Sequence, residues 1–596
     1  MSVVQTLNDI YFRAIKEFPR SDAYKYKEGG AYRDLSREAF AEAGAEVAMG
    51  LVALGMERGD RVAILSPNRV EWPICDFGML SAALVTVPVY VTLTANTIDY
   101  IMDNSGARAI FVSSPSELTA VLPYKAKNPD FRLILFEGAD QVEGAMSLDD
   151  LRSRGRDLMS AEPDLYKNRW MGVSKESLAT IIYTSGTTGT PKGVMLTHDN
   201  IVSNVLMGVK ALSISEKDTS LSFLPLCHIL ERMAGLYVMT YAGSCIAYAE
   251  SIDTVRDNLL EVRPTVMVSV PRLYEKMYAR VLDAALSGGG IKKKLFLWAK
   301  DVGGKRAELL IAKKPVPKAL EMKYRVAKQL VFSKLKARTG GRLRFMISGG
   351  APLAKEIADF FFSAGLNIFE GYGLTESSPL IAVNTFEDFR PGTVGKPVPG
   401  VQVRIADDGE ILAKGPSIMK GYFNMPEATA ETLRDGWLYT GDIGRIDEDG
   451  FLVITDRKKD LIITAGGKNV APQPIENKMK TDKYLQEVVV LGDRRPYLVA
   501  LVVPDFENLA IFAEQKGLGS LSVDQLTQNP KVNEFLMGRV ERFQRDIASF
   551  ESIKRIHVLN RELSIEDGEL TPTLKVKRRE IQARFESEIE ALYADA

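Results

Sequence analysis

The chain is short of several things, and each shortage narrows what it does. Its 596 residues hold three cysteines, Cys75, Cys227 and Cys245. They are widely separated and have no metal-ligand spacing, which suits a reducing compartment. No run approaches the roughly 20 consecutive apolar residues of a membrane-spanning helix. The opening Met1-Ser2-Val3-Val4-Gln5-Thr6 lacks the basic and apolar regions of a signal peptide. The expectation is a cytoplasmic protein, with any membrane contact peripheral and at the inner face. Charge of either sign is not in excess, with 76 Lys and Arg against 77 Asp and Glu. That balance supplies no global attraction to nucleic acid. There is no internal repeat and no low-complexity tract.

What is present is an ordinary soluble composition, 46% hydrophobic and 26% charged. The length exceeds what one core supports, so two or more domains are expected. From about residue 45 to 380, short apolar runs such as Arg61-Val62-Ala63-Ile64-Leu65 and Ala109-Ile110-Phe111-Val112 alternate with helical patterns. This predicts stacked parallel or mixed sheets with covering helices. From about 393 to 455, short alternating segments are punctuated by Asp-Gly and Gly-Pro turns, which predicts a small, barrel-like β subdomain. After Lys459 comes an α+β portion with a hairpin over Glu487–Leu491 and Tyr497–Val503. The segment from Ile291 to Arg344 carries seventeen Lys and Arg against three acidic residues, with apolar residues at helical spacing. It fits a solvated basic face, or a pair of basic amphipathic helices lying on an anionic bilayer.

The most informative string is Tyr183-Thr184-Ser185-Gly186-Thr187-Thr188-Gly189-Thr190-Pro191-Lys192-Gly193, which follows the apolar run Leu178–Ile182. Glycines let backbone N–H groups converge on an anion. Thr184, Ser185, Thr187 and Thr188 add hydroxyl donors and Lys192 adds charge. The string predicts a phosphate cradle, most simply for a nucleoside triphosphate. It lacks the G-x-x-x-x-G-K-[ST] spacing of the P-loop.

This string resembles the phosphate loop of the adenylate-forming superfamily, which includes acyl-CoA synthetases, nonribosomal peptide adenylation domains and luciferases. Four more segments resemble that family in its order: Gly371–Glu376, Asp435–Asp442, Asp456–Asp460 and Pro572–Arg579. The resemblance implies an α/β fold with a large N-terminal domain, residues 1–458, of stacked sheets with helices and the small β subdomain. A small mobile α+β C-terminal domain, 459–596, would turn about a hinge at Lys459. By resemblance Tyr372 stacks on adenine beside Gly373, Thr375 contacts the α-phosphate, and Glu376 binds Mg2+. Asp442 holds the ribose hydroxyls with help from Arg457. Gly350 and Ala351 wall the adenine or acyl pocket, or form a simple turn. Lys575 bridges the carboxylate and the α-phosphate, although Lys577, Arg578 and Arg579 lie close by in sequence. Gly466 and Gly467 border a CoA tunnel, or form an ordinary glycine turn.

Phe223-Leu224-Pro225-Leu226-Cys227-His228-Ile229-Leu230-Glu231-Arg232 resembles a segment of long-chain fatty acid–CoA ligases. His228 then sits by the carboxylate of the acid, or packs structurally. Some of those enzymes carry a tryptophan gate where this chain has Arg232, which speaks against such a gate here. The implied reaction consumes a long-chain fatty acid, ATP and CoA and passes through acyl-AMP. An acyl carrier protein as acceptor, a ligase that stops at acyl-AMP, and a silent acyl or nucleotide sensor at a membrane are the alternatives. Oligomeric state is not legible.

Overall fold

Strands whose every residue is buried must be covered on both sides, and the chain builds two sheets of that kind. The computed structural model describes residues 4–184, 190–286, 289–545, 547–565, 567–571 and 575–594. The first sheet has eight strands in the order Gly421–Tyr422, Lys192–Thr197, Leu178–Thr184, Val85–Val89, Arg61–Leu65, Ala109–Val112, Arg132–Leu135 and Ala145–Ser147. Its interior is parallel, and all of Val85–Val89 is buried. The hairpin of Leu178–Thr184 and Lys192–Thr197 is antiparallel and pairs Thr184 with Lys192. The two ends of the phosphate-loop string, Thr184 and Lys192, thus face each other across the pair, and Ser185, Gly186, Thr187, Thr188 and Gly189 lie outside the described residues.

The second sheet has nine strands. Its parallel centre runs through Thr219–Ser222, Val266–Ser269, Phe345–Ser348 and Asn367–Gly373. Side chains from both sheets enter one large apolar core, which includes Val62, Ile182, Leu221 and Phe345. The expected stacked α/β architecture is present.

The β subdomain is a five-stranded antiparallel sheet built on the long strand Trp437–Ile446. Its pairing leaves it open, unlike the barrel the turn pattern suggested. The edge strand Leu433–Arg434 is only two residues long, too short to close back on Gln402–Ile405.

Beyond Lys459 the hairpin of Leu485–Leu491 and Leu498–Pro504 carries the parallel strand Ile553–Val558. Val488 and Val490 face one apolar cluster, and Val489 and Leu491 face another. The period-two alternation thus hides inside an unbroken apolar run because both faces are covered.

Candidate active site

Several of the expected site residues assemble where strand ends meet. Gly421–Tyr422 pairs with the outgoing arm of the phosphate hairpin, Tyr422 opposite Val194. This puts the Tyr422 ring under Lys192, whose ammonium stands 5.0 Å from the ring centroid. The Tyr422 hydroxyl donates to Glu376 Oε1 at 2.9 Å. Glu376 sits in the one-turn helix Thr375–Ser377, which directly follows the strand Asn367–Gly373. Gly373 is obligatory there, because a Cβ would stand 1.7 Å from the Pro379 carbonyl oxygen. Thr375 is buried in the same turn. The Thr184 hydroxyl makes a long 3.5 Å hydrogen bond to the Lys192 carbonyl.

Tyr372 donates its hydroxyl to Asp442 Oδ2 at 2.7 Å. Asp442 and Arg457 are cross-strand partners, and Arg457 Nε lies 3.1 Å from Asp442 Oδ1. An ionised carboxylate offers about four acceptor positions. Tyr372 and Arg457 use one on each oxygen, so Asp442 retains one per oxygen for a vicinal diol. Asp442 and burial hold the Tyr372 phenol well above its usual range, burial being the larger cause. Gly350 follows the strand Phe345–Ser348 in a left-handed conformation, φ +82°, that favours glycine. Gly349 packs under Leu230, 3.1 Å from where its Cβ would be. The Gly350–Ala351 turn thus lies beside the His228–Arg232 segment.

Lys575 joins this cluster from 133 residues beyond Asp442 in the sequence. Two bonds tie it to Thr571: Thr571 N–H donates to the Lys575 carbonyl at 2.8 Å, and Lys575 N–H donates to Thr571 Oγ1 at 3.0 Å. Lys577 N–H donates to the carbonyl of Glu569 at 2.8 Å, and the Glu569 side chain is fully buried against Arg561. Burial chiefly, and the charge of Arg457 next, bring the Lys575 ammonium down to about 8; Asp442 and Glu376 act in the opposite direction. The same ammonium is felt by His228, whose pKa falls to about 3, mainly through burial. His228 Nδ1 accepts from Leu230 N–H at 3.2 Å, so the neutral ring carries its proton on Nε2 and presents a donor. Lys575 therefore stands within electrostatic reach of His228 and also of Asp442, Arg457 and Glu376.

The basic neighbours of Lys575 divide cleanly. Arg578 is committed to Glu476 at 2.6 Å and to the Val490 carbonyl at 2.6 Å. Lys577 begins the helix Arg578–Arg584. Lys459 lies close enough for Arg457 and Arg579 to lower its pKa, after burial. The preceding Lys458 is tied to Asp408 and Glu410 of the β subdomain at 2.6 and 2.9 Å. Gly466 and Gly467 are not part of the cluster. They form the exposed tip of the small hairpin Ile462–Ile463 and Asn469–Val470. A Cβ at Gly466 would have Thr464 Oγ1 as its nearest neighbour at 3.9 Å, and one at Gly467 would meet nothing within 4 Å.

Arg232 is no gate. It is fully buried and forms an ion pair with Asp76. Its Nε and Nη1 donate to Tyr237 and Thr180, each at 2.8 Å, and Tyr237 donates to Asp76 at 2.6 Å. This network ties the π-helical turn Glu231–Tyr237 to the first sheet. Glu231 beside it is buried, and desolvation raises its carboxyl to about 8. Tyr422 and Asp76 are the residues that sequence reasoning missed. Tyr422 lies in a two-residue strand, too short for any periodicity to mark.

Among the described residues no group of three or more His, Cys, Asp or Glu is placed to hold a metal. A single carboxylate such as Glu376, with Oε2 left beside its Tyr422 bond, fits Mg2+ that arrives on a polyphosphate, since that ion needs only one or two protein carboxylates.

The Tyr372–Asp442–Arg457 cluster, Glu376 held by Tyr422 beside Lys192, and a buried lysine supplied from the C-terminal portion are the features of this site. The chain belongs to the AMP-binding enzyme family: the family model matches residues 11–423, and the AMP-binding enzyme C-terminal domain matches 459–596. It is 36% identical to a long-chain-fatty-acid–CoA ligase of Mycobacterium bovis, covering 98% of this chain and 96% of that one. It is 33% identical to the peroxisomal long chain acyl-CoA synthetase 7 of Arabidopsis thaliana, covering 99% and 87%. Among solved structures it resembles the adenylation domain of a carboxylate reductase from Mycobacterium chelonae, with TM-score 0.75, 21% identity and 99% and 91% coverage. It also resembles ATP-bound MatB from Rhodopseudomonas palustris, with TM-score 0.69, 25% identity and 97% and 99% coverage.

Proposed function

We propose that the protein is an ATP-dependent long-chain fatty acid–CoA ligase. The observation that carries this reading is that the buried Lys575 ammonium is within electrostatic reach of His228 and of Asp442, Arg457 and Glu376. A carboxylate is a poor electrophile because its leaving group would be oxide. Its oxygen attacks the α-phosphorus of ATP, the bond to pyrophosphate breaks, and acyl-AMP forms. The obstacle is like charge, so cations and donors must converge on the α-phosphate. Lys575 and Thr375 serve there. Thr184, Lys192 and the string from Ser185 to Gly189 hold the outer phosphates. Glu376 would hold the magnesium that accompanies ATP, whose charge offsets the phosphates. Asp442 takes the ribose, Tyr372 with the Gly350–Ala351 turn frames the adenine, and His228 Nε2–H faces the acid.

In the second step the CoA thiol attacks the acyl carbonyl, AMP departs with the bonding pair, and the thiol proton is released. We take 1–458 and 459–596 as the two domains, with Lys459 as the pivot. Turning the smaller one withdraws Lys575 and brings the Gly466–Gly467 tip to the site. Long-chain acids are the substrate class by likeness to the relatives' names and to the Leu224–Arg232 segment. Cytoplasmic residence with peripheral contact at the inner face of a membrane suits such acids. The test is a panel of acids with purified enzyme and ATP, scored for pyrophosphate with and without CoA. Pyrophosphate and acyl-CoA formed from palmitate or oleate support the reading. Pyrophosphate without acyl-CoA moves the acceptor to a carrier protein or ends the reaction at acyl-AMP, and no pyrophosphate from any acid leaves a sensor.

A further inference from the structure

The reaction leaves one prominent feature of the chain unused, the basic excursion between the strands Val266–Ser269 and Phe345–Ser348. It folds as the helix Gly289–Ile311 and, antiparallel to it, Lys318–Ala327, which continues through a π turn at Lys328–Phe332 into Ser333–Ala337. The second helix is apolar on two faces. Tyr324, Ala327, Phe332 and Leu335 are buried against the molecule. On the outer side Met322, Val326 and Leu330, spaced four apart, are 67%, 47% and 45% exposed.

At about 100° per residue Met322 and Val326 lie roughly 40° apart, and Leu330 follows within the π turn. Lys318 and Arg325 border Met322 and Val326 on one side and Lys323 on the other, and all three are exposed. The lone acidic residue of this helix, Glu321, is taken up by Arg306 at 2.8 Å. Ile291, at the start of the first helix, is 85% exposed beside exposed Lys292, Lys293 and Lys294. Among the described residues no helix is long and apolar enough to cross a membrane.

We propose that the outer face of Lys318–Ala337 is a docking surface for an anionic lipid bilayer. An apolar stripe flanked by long cationic side chains suits an interface in which the stripe enters the acyl boundary and the ammonium and guanidinium groups meet phosphates. Charge complementarity selects the occupant. Seventeen cations against three acids along 291–344 favour an anionic surface, and the apolar stripe distinguishes a bilayer from a soluble polyanion. Because long-chain acids partition into bilayers, docking would raise the local substrate concentration. That advantage rests on the ligase reading, whereas the binding itself does not.

The experiment is sedimentation of the full chain with vesicles of equimolar phosphatidylcholine and phosphatidylglycerol, at low and high ionic strength. Two variants are compared with wild type: Met322→Glu/Val326→Glu/Leu330→Glu, and Lys318→Glu/Lys323→Glu/Arg325→Glu. Pyrophosphate release from a water-soluble medium-chain acid checks that each folds, since none of these residues touches the site. Wild type should sediment with anionic vesicles at low salt, and much less with pure phosphatidylcholine or at high salt. Each variant should lose about tenfold or more in partitioning. Wild type that ignores anionic vesicles at low salt overturns the proposal, as does an apolar-stripe variant that sediments like wild type. Retention on heparin that survives loss of the stripe, without vesicle binding, would assign the face to an acidic macromolecule instead. A chain that binds vesicles yet turns over no acid would fail the ligase reading alone.

Discussion

Two regions assigned to one reaction differ sharply. The cluster around Asp442 and Glu376 is braced from several elements: Tyr372 and Arg457 hold Asp442, Tyr422 holds Glu376, and Lys192 rests on Tyr422. The Gly466–Gly467 tip is a bare turn with open space around it. The first region is built for precise charge placement, which preorganisation rewards. This arrangement puts Lys575 under the influence of Arg457, Asp442 and Glu376 and leaves the Gly466–Gly467 tip with open space around it. It is held partly by contacts of the helix Pro271–Leu286 with the C-terminal portion, Arg272 to Glu562 at 3.4 Å and Asp283 to Lys483 at 3.2 Å.

Removing the lysine should separate the two regions most strongly. Lys575→Ala is expected to cost about 2.7–4 kcal/mol at the adenylation transition state, a hundredfold to a thousandfold loss. Conversion of supplied acyl-adenylate to acyl-CoA should be largely spared. Stopped assays of each half-reaction check this, and equal loss of both would move the role, Lys577 being the next candidate.

Asp442→Asn keeps the shape but removes the charge that faces Arg457. Hydrogen bonds to charged groups contribute about 1.5–3 kcal/mol, so KM for ATP should rise about tenfold to a hundredfold. An ATP titration reads this, and an unchanged KM would remove Asp442 from the ribose site. Gly466→Leu should do the reverse of Lys575→Ala. Its exposed setting leaves folding intact, adenylation should proceed, and the thioester step should slow by about tenfold through obstruction of a narrow thiol path. Normal thioester turnover in that variant would sink the tunnel assignment.

The smallest effect is in the pH profile. Lys575 titrates at about 8, so its charge is present below that pH and lost above it. The adenylation kcat/KM should halve near pH 8 and continue to fall, since kcat/KM reports the free enzyme. Conversion of supplied acyl-adenylate should not share this descent. Lys575→Arg, charged throughout, should flatten it. Rates measured from pH 6 to 10 decide.

How much of this was legible in the sequence depends on the range of the contact. The α/β class followed from strand-length apolar runs alternating with helices, and Leu178–Thr184 is such a run, buried along nearly all its length. Tyr372, Glu376, Asp442, Arg457 and Lys575 each lie in a short contiguous string. Their meeting was not legible from spacing, because it is made by strand ends that only the sheets bring together. Tyr422 reaches Glu376 across 46 residues and Asp76 reaches Arg232 across 156, and neither pair leaves a local pattern. The choice among the basic residues near Lys575 was equally invisible. Only the fold reveals that Arg578 is spent on Glu476.

On the proposed reading, one site serves two half-reactions by presenting Lys575 first and the Gly466–Gly467 turn second. The most direct measurement is a single turnover with ATP, oleate and CoA, in which acyl-adenylate and acyl-CoA are quantified together in wild type, Lys575→Ala and Gly466→Leu. The account predicts transient acyl-adenylate in wild type, almost none in Lys575→Ala, and accumulated acyl-adenylate with little acyl-CoA in Gly466→Leu. Parallel loss of both species in both variants would contradict it.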